Sequence, residues 1–481
     1  MNILAHLEPT KVFHYFEAIS AIPRGSGNEQ GMVDYLVAFA KECGLTYTTD
    51  EHLNVIIEKP ASPGYESKPP FIIQSHTDMV NEKNEGVEHD FENDGLKLYI
   101  DGDFVSAEGT TLGADNGIAV AMTLALMDGD YKHPHLKGLF TSVEEAGMDG
   151  AKGVDTKHFD DCNYLINLDS SDEGSFTVSC AGGQRQQLII PVDYETTPSG
   201  SVALSIKVSG LEGGHSGIDI NKGLGNSNKL LARVLHTLEQ QDELYLASFN
   251  GGLKTNAIPR EAVATVVVSK DFETELRQLV SELEAVFRKE HRESEKSIDI
   301  TVDQAPIPMR VMSFETTVDV LSAITLVPNG LFRSANNGDI VTSSNLGVVT
   351  TADDQVTLDI LTRSNLNSEK QAIVDQIGVL ADVLDIEHIY NQDKFGGWEY
   401  RPNSPLRDIC AEVHKRVTGK EPGLVATHGG LECGIFATRM PHLDIISFGP
   451  NNYYLHTPDE RLSIGSTERV YKYLIELVAA L

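Results

Sequence analysis

Cysteine is scarce in this chain and follows no pairing pattern. The 481 residues include five cysteines, an odd number at widely separated positions: Cys43, Cys162, Cys180, Cys410 and Cys433. No two of them form a CxxC pair, so the sequence suggests neither a zinc ribbon nor a disulfide framework. We therefore expect buried, reduced thiols.

Long hydrophobic runs are also missing. The longest apolar stretch, near Ile118 to Met127, is too short to span a bilayer. The first residues show no basic segment followed by an apolar core, so no signal peptide is expected. These absences predict a cytoplasmic protein without a membrane partner.

Basic residues are few relative to acidic ones. Only 38 Lys and Arg oppose 71 Asp and Glu, for a formal net charge of −33. Such a surface repels nucleic acid and anionic membranes, so neither is an expected partner. Neither a P-loop nor a dinucleotide-binding fingerprint occurs, which argues against a nucleotide-dependent enzyme.

The patterns at both ends of the chain predict an α/β domain. Short apolar runs alternate with helical periodicity up to about residue 183, as in a helix-covered sheet. Another apolar run at 443–448 suggests that the last segment returns to the same sheet. The sequence thus predicts a catalytic domain with a mixed sheet, formed by residues 1–183 and 396–481.

The middle of the chain, residues 184–395, predicts an inserted α+β lid. Between 202 and 302 the patterns follow the order β-α-β-β-α-β, which is the ferredoxin-like plan. After Pro306, a helix, two strands, a helix and a strand repeat much of this order. We therefore expect a lid made of two ferredoxin-like halves.

Several polar residues follow the predicted strands, where ligands gather in α/β sheets. They are His76, Glu144, Glu145 and Asp169, and Asp115 and His456 complete the set. Two imidazoles and several carboxylates can hold two divalent metals and leave one acid as a general base. This donor set suits Zn²⁺, with Co²⁺ or Mn²⁺ as alternatives.

Local spacing suggests how some of these residues divide their work. Glu144 and Glu145 are adjacent, and on an extended chain they would point to opposite sides, one to metal and one to water. Asp78 lies two residues after His76 and could accept a hydrogen bond from the far ring nitrogen. Taken singly, each has a plainer explanation; Asp115, for example, could simply cap a helix.

The motifs resemble those of the dizinc exopeptidase family of metallopeptidases, which includes carboxypeptidase G2-like enzymes, aminoacylases and dipeptidases. The similar segments are Ser75–Val80, Gly113–Gly117, Glu144–Gly147 and Asn167–Asp169. The segments 427–434 and 449–458 look like its aminoacylhistidine dipeptidase branch. The similarity covers nearly the whole chain.

The resemblance implies roles at the matching positions. Asp115 would bridge two metals, with His76 and Asp169 completing one site and Glu145 and His456 the other. Glu144 would be the general base, and Asp78 would orient His76.

In the lid, the resemblance implies substrate contacts. His215 would polarise the scissile carbonyl, Asn256 and Arg363 would hold the substrate carboxylate or the oxyanion, and Gly430 would contribute backbone. Arg333 competes with Arg363 for this role, and Glu432 is a further acid that could meet a substrate amine.

The implied activity is that of a homodimeric dipeptidase acting on Xaa-His and other short dipeptides. Two alternatives remain open at this point: a deacylase of N-acyl amino acids from the same family, and a binding protein that kept the fold but lost the chemistry.

Overall fold

The computed structural model of the protein describes residues 3–392 and 394–481, which form two compact units. The first unit comprises the chain up to Ser179 together with Trp398–Ala426 and Leu431–Leu481. The second comprises Cys180–Gly397 and Thr427–Gly430. The expected domain limits, 183/184 and 395/396, differ from these by a few residues, and the short segment 427–430 groups with the second unit. A lid role for the second unit stays a prediction.

The elements are numbered along the chain. Up to Ser179 the helices are α1 (Thr10–Ser20), α2 (Gln30–Glu42), α3 (Ala114–Met127) and α4 (Asp149–Gly153). The strands there are β1 (Thr46–Thr49), β2 (Val55–Lys59), β3 (Phe71–His76), β4 (Leu98–Asp101), β5 (Phe104–Ala107), β6 (Leu136–Thr141), β7 (Tyr164–Asn167) and β8 (Ser175–Cys180).

The central segment contains the next thirteen strands and four helices. The strands are β9 (Gly182–Pro191), β10 (Tyr194–Thr196), β11 (Ser201–Ser209), β12 (Gly214–His215), β13 (Leu244–Gly251), β14 (Ala257–Ile258), β15 (Ala262–Ser269), β16 (Asp299–Ala305), β17 (Arg310–Met312), β18 (Gly330–Ser334), β19 (Ile340–Thr351), β20 (Gln355–Ser364) and β21 (Glu387–Gln392). The helices are α5 (Ser227–Glu239), α6 (Glu273–Glu290), α7 (Phe314–Leu326) and α8 (Asn367–Leu384).

The last segment completes the first unit. Its elements are α9 (Pro405–Thr418), β22 (Gly423–Thr427), α10 (Glu432–Arg439), β23 (Asp444–Ser447), β24 (Asn452–Tyr453), β25 (Arg461–Ser463) and α11 (Ile464–Val478). Among the described helices, none is both long and apolar enough to cross a membrane.

An eight-stranded mixed sheet organises the first unit, in the order β1-β2-β6-β3-β7-β23-β8-β22. Its four neighbouring strands β6, β3, β7 and β23 run parallel. All six residues of β3 and of β6 are buried, as expected for parallel strands covered on both faces. The predicted α/β class is confirmed, and β23 lies beside β7, so the last segment does return to this sheet.

The helices around this sheet form its core through apolar faces. Phe13 and Phe16 of α1 are fully buried, and α3 is apolar almost all round, with Ala119 and Leu124 fully buried. A helix that is hydrophobic on every side needs cover on every side. Helix α3 therefore lies inside the unit and holds Asp115 in its first turn.

The second unit contains one large sheet with two halves of the same strand order. The sheet runs β16-β11-β15-β13-β19-β20-β9-β21, with β18 paired to β19. Elements β11, α5, β13, β15, α6 and β16 form one β-α-β-β-α-β set, as predicted. The other set is β9, α7, β19, β20, α8 and β21. Strand β9 of this second half therefore precedes the whole first half in the chain. The sequence pattern instead predicts that all of the second half follows Pro306.

Candidate metal centre

Three parallel strands bring their last residues to the same edge of the first sheet. His76, the last residue of β3, pairs with Thr141, the last residue of β6. Gln74 of β3 pairs with Asn167, the last residue of β7, and Asp169 follows two residues later. The carboxyl ends of parallel strands are where α/β sheets bind ligands, so the residues beyond them converge.

Glu144 and Glu145 lie in a turn, and the prediction of an extended chain through this pair is wrong. Strand β6 has already ended, and the amide of Met148 donates to the Glu144 carbonyl at 3.2 Å. Val143 has a φ of 53°, which is rare for a β-branched residue. Its amide donates to the buried Glu29 carboxylate at 3.0 Å, which supports this conformation. The turn, rather than the strand pleat, directs the two glutamates.

Two groups of possible ligand atoms overlap at Asp115. His76, Asp115 and Asp169 form one group, and Asp115, Glu145 and His456 form the other; within each, the atoms lie within 4.8 Å of one another. The two carboxylate oxygens of Asp115 lie 3.2 Å from Nε2 of His76 and 3.2 Å from Nε2 of His456. One carboxylate therefore faces both imidazoles, which is the arrangement a bridging ligand requires.

Asp78 connects the histidine to the glutamate turn. Its Oδ1 lies 3.3 Å from Nδ1 of the buried His76, on the side of the ring away from Asp115. The same carboxylate accepts the amides of Glu144, at 3.0 Å, and Glu145, at 3.2 Å. Asp78 thus orients one candidate ligand and holds the backbone of two other site residues.

The electrostatics of this cluster call for cations. Hydrogen bonds to Asp115 and Glu145 raise the pKa of His456 to about 10. Burial, and then the Asp115 charge, raises the pKa of Asp169 to about 6. Burial opposes ionisation of Asp115, yet hydrogen bonds from His456 and His76 hold its pKa well below the ordinary value. The crowded carboxylates stabilise the protonated imidazoles, and bound divalent cations would neutralise the same negative charge. Imidazole nitrogens with carboxylate oxygens fit Zn²⁺.

Two buried ionic residues that support the centre were missed in the sequence. The guanidinium of Arg24 donates to the carbonyls of Asp78, at 3.2 Å, and Gly113, at 2.5 Å. The carboxylate of Glu460 accepts the amides of Gly113, at 2.8 Å, and Asp115, at 3.2 Å. No motif marks Arg24, and the only available signal for Glu460 is its place just beyond the tail motif.

In the second unit, His215 is held as a hydrogen-bond donor. Strand β12 pairs His215 with Ala257 of β14. The ring Nδ1 accepts the amides of Gly217, at 3.2 Å, and Ile218, at 3.1 Å. Burial, and then the nearby Arg363, lowers the pKa of His215. The neutral ring therefore carries its proton on Nε2, where it can be donated.

Asn256 and Arg363 line one cavity of about 550 Å³ in the second unit. Burial lowers the pKa of Arg363 to about 10, so its guanidinium remains charged at neutral pH. Arg333 is exposed and ion-paired with Glu369. Arg363 is therefore the better candidate for binding a carboxylate. Gly430 is half-buried, in the short segment 427–430 of the same unit.

His428 also belongs to the second unit, and no role is implied for it by the motif in which it lies. Its Nε2 lies 2.8 Å from Oγ of Ser343, and the side chain is buried. Burial, and then the charges of Arg363 and His215, lowers the pKa of His428 to about 3. The ring is therefore neutral throughout the physiological range.

Lowering the pH from 7 to 5 is expected to destabilise the wild type more than the His428→Gln variant. Below about pH 6.5 the unfolded chain protonates this histidine, whereas the folded protein resists until about pH 3. The contribution of His428 to the free energy of unfolding is complete above pH 6.5. It is lost by up to about 1.4 kcal/mol per pH unit below that. Urea unfolding of both proteins at pH 7, 6 and 5 measures the difference; a pH-independent difference would contradict the assignment.

Comparison with known proteins places the chain in a family. Residues 72–480 match peptidase family M20/M25/M40. The cytosol non-specific dipeptidase of Escherichia coli strain K12 is 37% identical in an alignment of 481 positions that covers 99% of each chain. The crystal structure of aminoacylhistidine dipeptidase from Vibrio alginolyticus superposes with a TM-score of 0.92 at 34% identity, covering 99% of this chain and 98% of the other. An aminopeptidase from Bacillus cereus, at a TM-score of 0.57 and 14% identity over 98% of this chain and 99% of the other, shares the fold alone.

The family match and the two relatives over nearly the whole chain identify a hydrolase that acts on peptide bonds. The chain belongs to peptidase family M20/M25/M40. The resemblance seen in the sequence motifs is thereby confirmed.

Proposed function

We propose that this protein is a metal-dependent dipeptidase that hydrolyses Xaa-His and other short dipeptides. The observation that carries the proposal is the Asp115 carboxylate shared between two groups of ligand atoms. The relatives at 37% and 34% identity, which match over nearly their whole lengths, are a non-specific dipeptidase and an aminoacylhistidine dipeptidase. Both names support dipeptides as the substrate class.

The first unit would bind two divalent metals. His76, Asp115 and Asp169 would hold one, and Asp115, Glu145 and His456 the other, with Zn²⁺ favoured by the donors and Co²⁺ or Mn²⁺ as alternatives. When bound, such a pair of ions polarises a carbonyl group and makes water more acidic.

The chain's own residues would then move the protons. Glu144 would take a proton from the attacking water and return it to the leaving amine. Asp78 would keep His76 in one ring orientation throughout. His215 would donate a hydrogen bond from its Nε2–H group to the oxygen of the scissile carbonyl as negative charge develops there.

The second unit would select the substrate. Arg363 would bind the free carboxylate of a dipeptide, with Asn256 and the Gly430 backbone adding hydrogen bonds. A cationic group that binds the terminal carboxylate leaves room for only one residue after the scissile bond. The two dipeptidase relatives suggest that the other side of the bond is equally short, so the enzyme should prefer dipeptides to longer substrates.

Replacing Arg363 with Met is expected to raise KM for a dipeptide by about 10- to 100-fold, because a charge-assisted hydrogen bond to the carboxylate is lost. The effect on kcat should be smaller. Steady-state kinetics on one dipeptide measures both. Arg333→Met is the matched control, since Arg333 is exposed and paired with Glu369. Equal effects of the two substitutions on KM would contradict the assignment of Arg363 to the substrate site.

The function is tested by a substrate panel on metal-free protein reconstituted with Zn²⁺, Co²⁺ or Mn²⁺. The panel contains aminoacyl-histidine dipeptides, dipeptides without histidine, tripeptides and N-acetyl amino acids. We expect hydrolysis of the dipeptides, at the highest rate with Zn²⁺. Faster hydrolysis of N-acetyl amino acids would favour the deacylase alternative, and tight metal binding without hydrolysis would favour a binding protein.

The proposal extends to assembly and location. A homodimer is proposed from the family resemblance, and a cytoplasmic location from the acidic composition and from the cytosolic Escherichia coli relative. Sedimentation at micromolar concentration tests the dimer: a single species of 52.5 kDa would contradict it.

A further inference from the structure

A buried chain of side-chain hydrogen bonds runs under the candidate metal centre. Asn167 donates through Nδ2 to Oε1 of Gln74 at 2.6 Å. Gln74 donates through Nε2 to Oε2 of Glu432 at 2.5 Å. The hydroxyl of Thr141 donates to the same Glu432 oxygen at 2.8 Å and accepts from Gln74 at 3.0 Å. These four side chains are fully buried.

This chain of hydrogen bonds connects the three strands that lead into the metal centre. Gln74 precedes His76 by two residues on β3, and Asn167 ends β7 two residues before Asp169. Thr141 is the last residue of β6, just before the glutamate turn. Glu432, the first residue of α10, accepts from both Gln74 and Thr141 through one oxygen. Glu432 thus joins the ends of β3 and β6 directly and that of β7 through Gln74.

The direction of the hydrogen bonds is the same along the whole chain. The amide of Asp169 donates to Oδ1 of Asn167 at 3.1 Å, so each donor from the Asp169 backbone onward points toward Glu432. Aligned hydrogen bonds polarise one another. Burial raises the pKa of Glu432 to about 8, and Oε2 accepts from both donors whether the group is ionised or carries a proton on Oε1. The side-chain amides of Gln74 and Asn167 can each adopt only one orientation here.

We propose that Glu432 is a positioning residue for the metal centre: it ends the hydrogen-bonded chain that aligns β3, β6 and β7, and so sets the spacing of His76, Asp169 and the glutamate turn. This inference rests on the proposed metal-dependent function. It replaces the earlier idea that Glu432 meets a substrate amine, since the side chain has no exposed surface and its Oε2 is occupied by two donors. Outer groups that orient metal ligands commonly affect metal affinity by about 10- to 100-fold.

The test compares Glu432→Leu and Glu432→Gln with the wild type. Metal affinity is measured on metal-free protein by competition with a chromophoric chelator, using Zn²⁺ as the probe. We expect Glu432→Leu to weaken Zn²⁺ binding by about 10- to 100-fold and to lower kcat, with KM changed less than about threefold. Glu432→Gln keeps a carbonyl oxygen for Gln74 and Thr141, so both properties should stay within about threefold of wild type. Equal losses in the two variants would overturn the proposal.

Asp444→Leu is the matched control for general damage to the sheet. Asp444 is a buried acid at the start of β23 and accepts the Ser404 hydroxyl at 2.8 Å and the Leu406 amide at 2.9 Å. It lies at the opposite end of the parallel strands from the centre. Its loss should lower resistance to urea without weakening Zn²⁺ binding. Wild-type Zn²⁺ affinity in Glu432→Leu would show that Glu432 serves folding only and would overturn the inference.

A further variant covers the case in which Glu432→Leu fails to fold. Asn167→Leu removes the hydrogen bond from Asn167 to Gln74, beside Asp169, and leaves the bonds from Gln74 and Thr141 to Glu432 intact. It should show the same loss of Zn²⁺ affinity and kcat. Wild-type affinity in this variant would also overturn the proposal. If the wild type itself bound no Zn²⁺, the proposed function would fail instead, so the two failures are distinguishable.

Discussion

Replacing Glu144 with Gln is expected to lower kcat for a dipeptide by about 10²- to 10⁴-fold, the range typical for loss of a general base. The amide keeps the size of the side chain but cannot take up a proton at neutral pH. Burial, followed by the charges of Asp169 and Glu145, raises the pKa of Glu144. The Glu144 carboxylate therefore binds a proton more tightly than an exposed glutamate does. A general base that takes a proton from water needs this property.

Metal binding separates this role from that of a ligand. Glu144 stands outside both groups that share Asp115, although it can form a third group with His76 and Glu145. We expect the Glu144→Gln variant to retain two metals per chain, as measured by elemental analysis after gel filtration. Loss of one metal together with activity would identify Glu144 as a ligand. The exposed Glu92, replaced by Gln, serves as the control and should leave kcat unchanged.

Replacing Asp115 with Asn is expected to abolish tight binding of both metals and to lower activity by at least about 10³-fold. Asp115 is the residue common to both ligand groups, so loss of its charge affects two cations together. A substitution at Glu145 or Asp169, each in one of those groups, should instead reduce the metal content by one. Elemental analysis and chelator competition distinguish the two patterns.

Removal of metal from the wild type provides the companion measurement. Treatment with a strong chelator should eliminate activity, and added Zn²⁺ should restore it. Asp103→Asn is the control for Asp115→Asn, since Asp103 accepts the Ser463 hydroxyl at 2.7 Å and the Gly465 amide at 3.0 Å and belongs to neither group. Two tightly bound metals in the Asp115 variant would contradict a bridging role.

The strands that position the centre could be predicted because their signals are local. Residues 71–74 and 164–168 are short apolar runs, which parallel strands buried on both faces require. His76 lies two residues after the first run and Asp169 directly after the second, so their placement at one sheet edge follows from the parallel topology. The motifs added the family, which the whole-chain comparisons confirm.

The first half of strand β9 could not be predicted because its sequence is polar. Residues 184–187 read Gln-Arg-Gln-Gln, which resembles a loop more than a strand inside a sheet. In the structure Gln186 is fully buried and donates to Oγ1 of Thr362 at 2.9 Å. The partner that compensates for burial comes from a strand 176 residues away, and no local pattern reveals it.

The glutamate turn has a similar explanation. The apolar residues before Glu144 suggest that the strand continues to Val143, yet the chain leaves the sheet earlier. The buried carboxylate of Glu29 accepts the Val143 amide, and Asp78 accepts the two that follow. Tertiary hydrogen bonds thus override the strand preference of a β-branched residue.

The sequence by itself determined which chemical groups this protein has for holding two cations and moving a proton, and it determined the strands that carry several of them. Only the tertiary structure decided that Asp115 faces both imidazoles, that Arg24 and Glu460 hold the surrounding backbone, and that Glu432 holds the side chains of Gln74 and Thr141. The physical reason is the separation along the sequence over which each interaction acts. Apolar periodicity acts over a few residues, whereas the hydrogen bonds that orient buried charges join residues up to 358 positions apart.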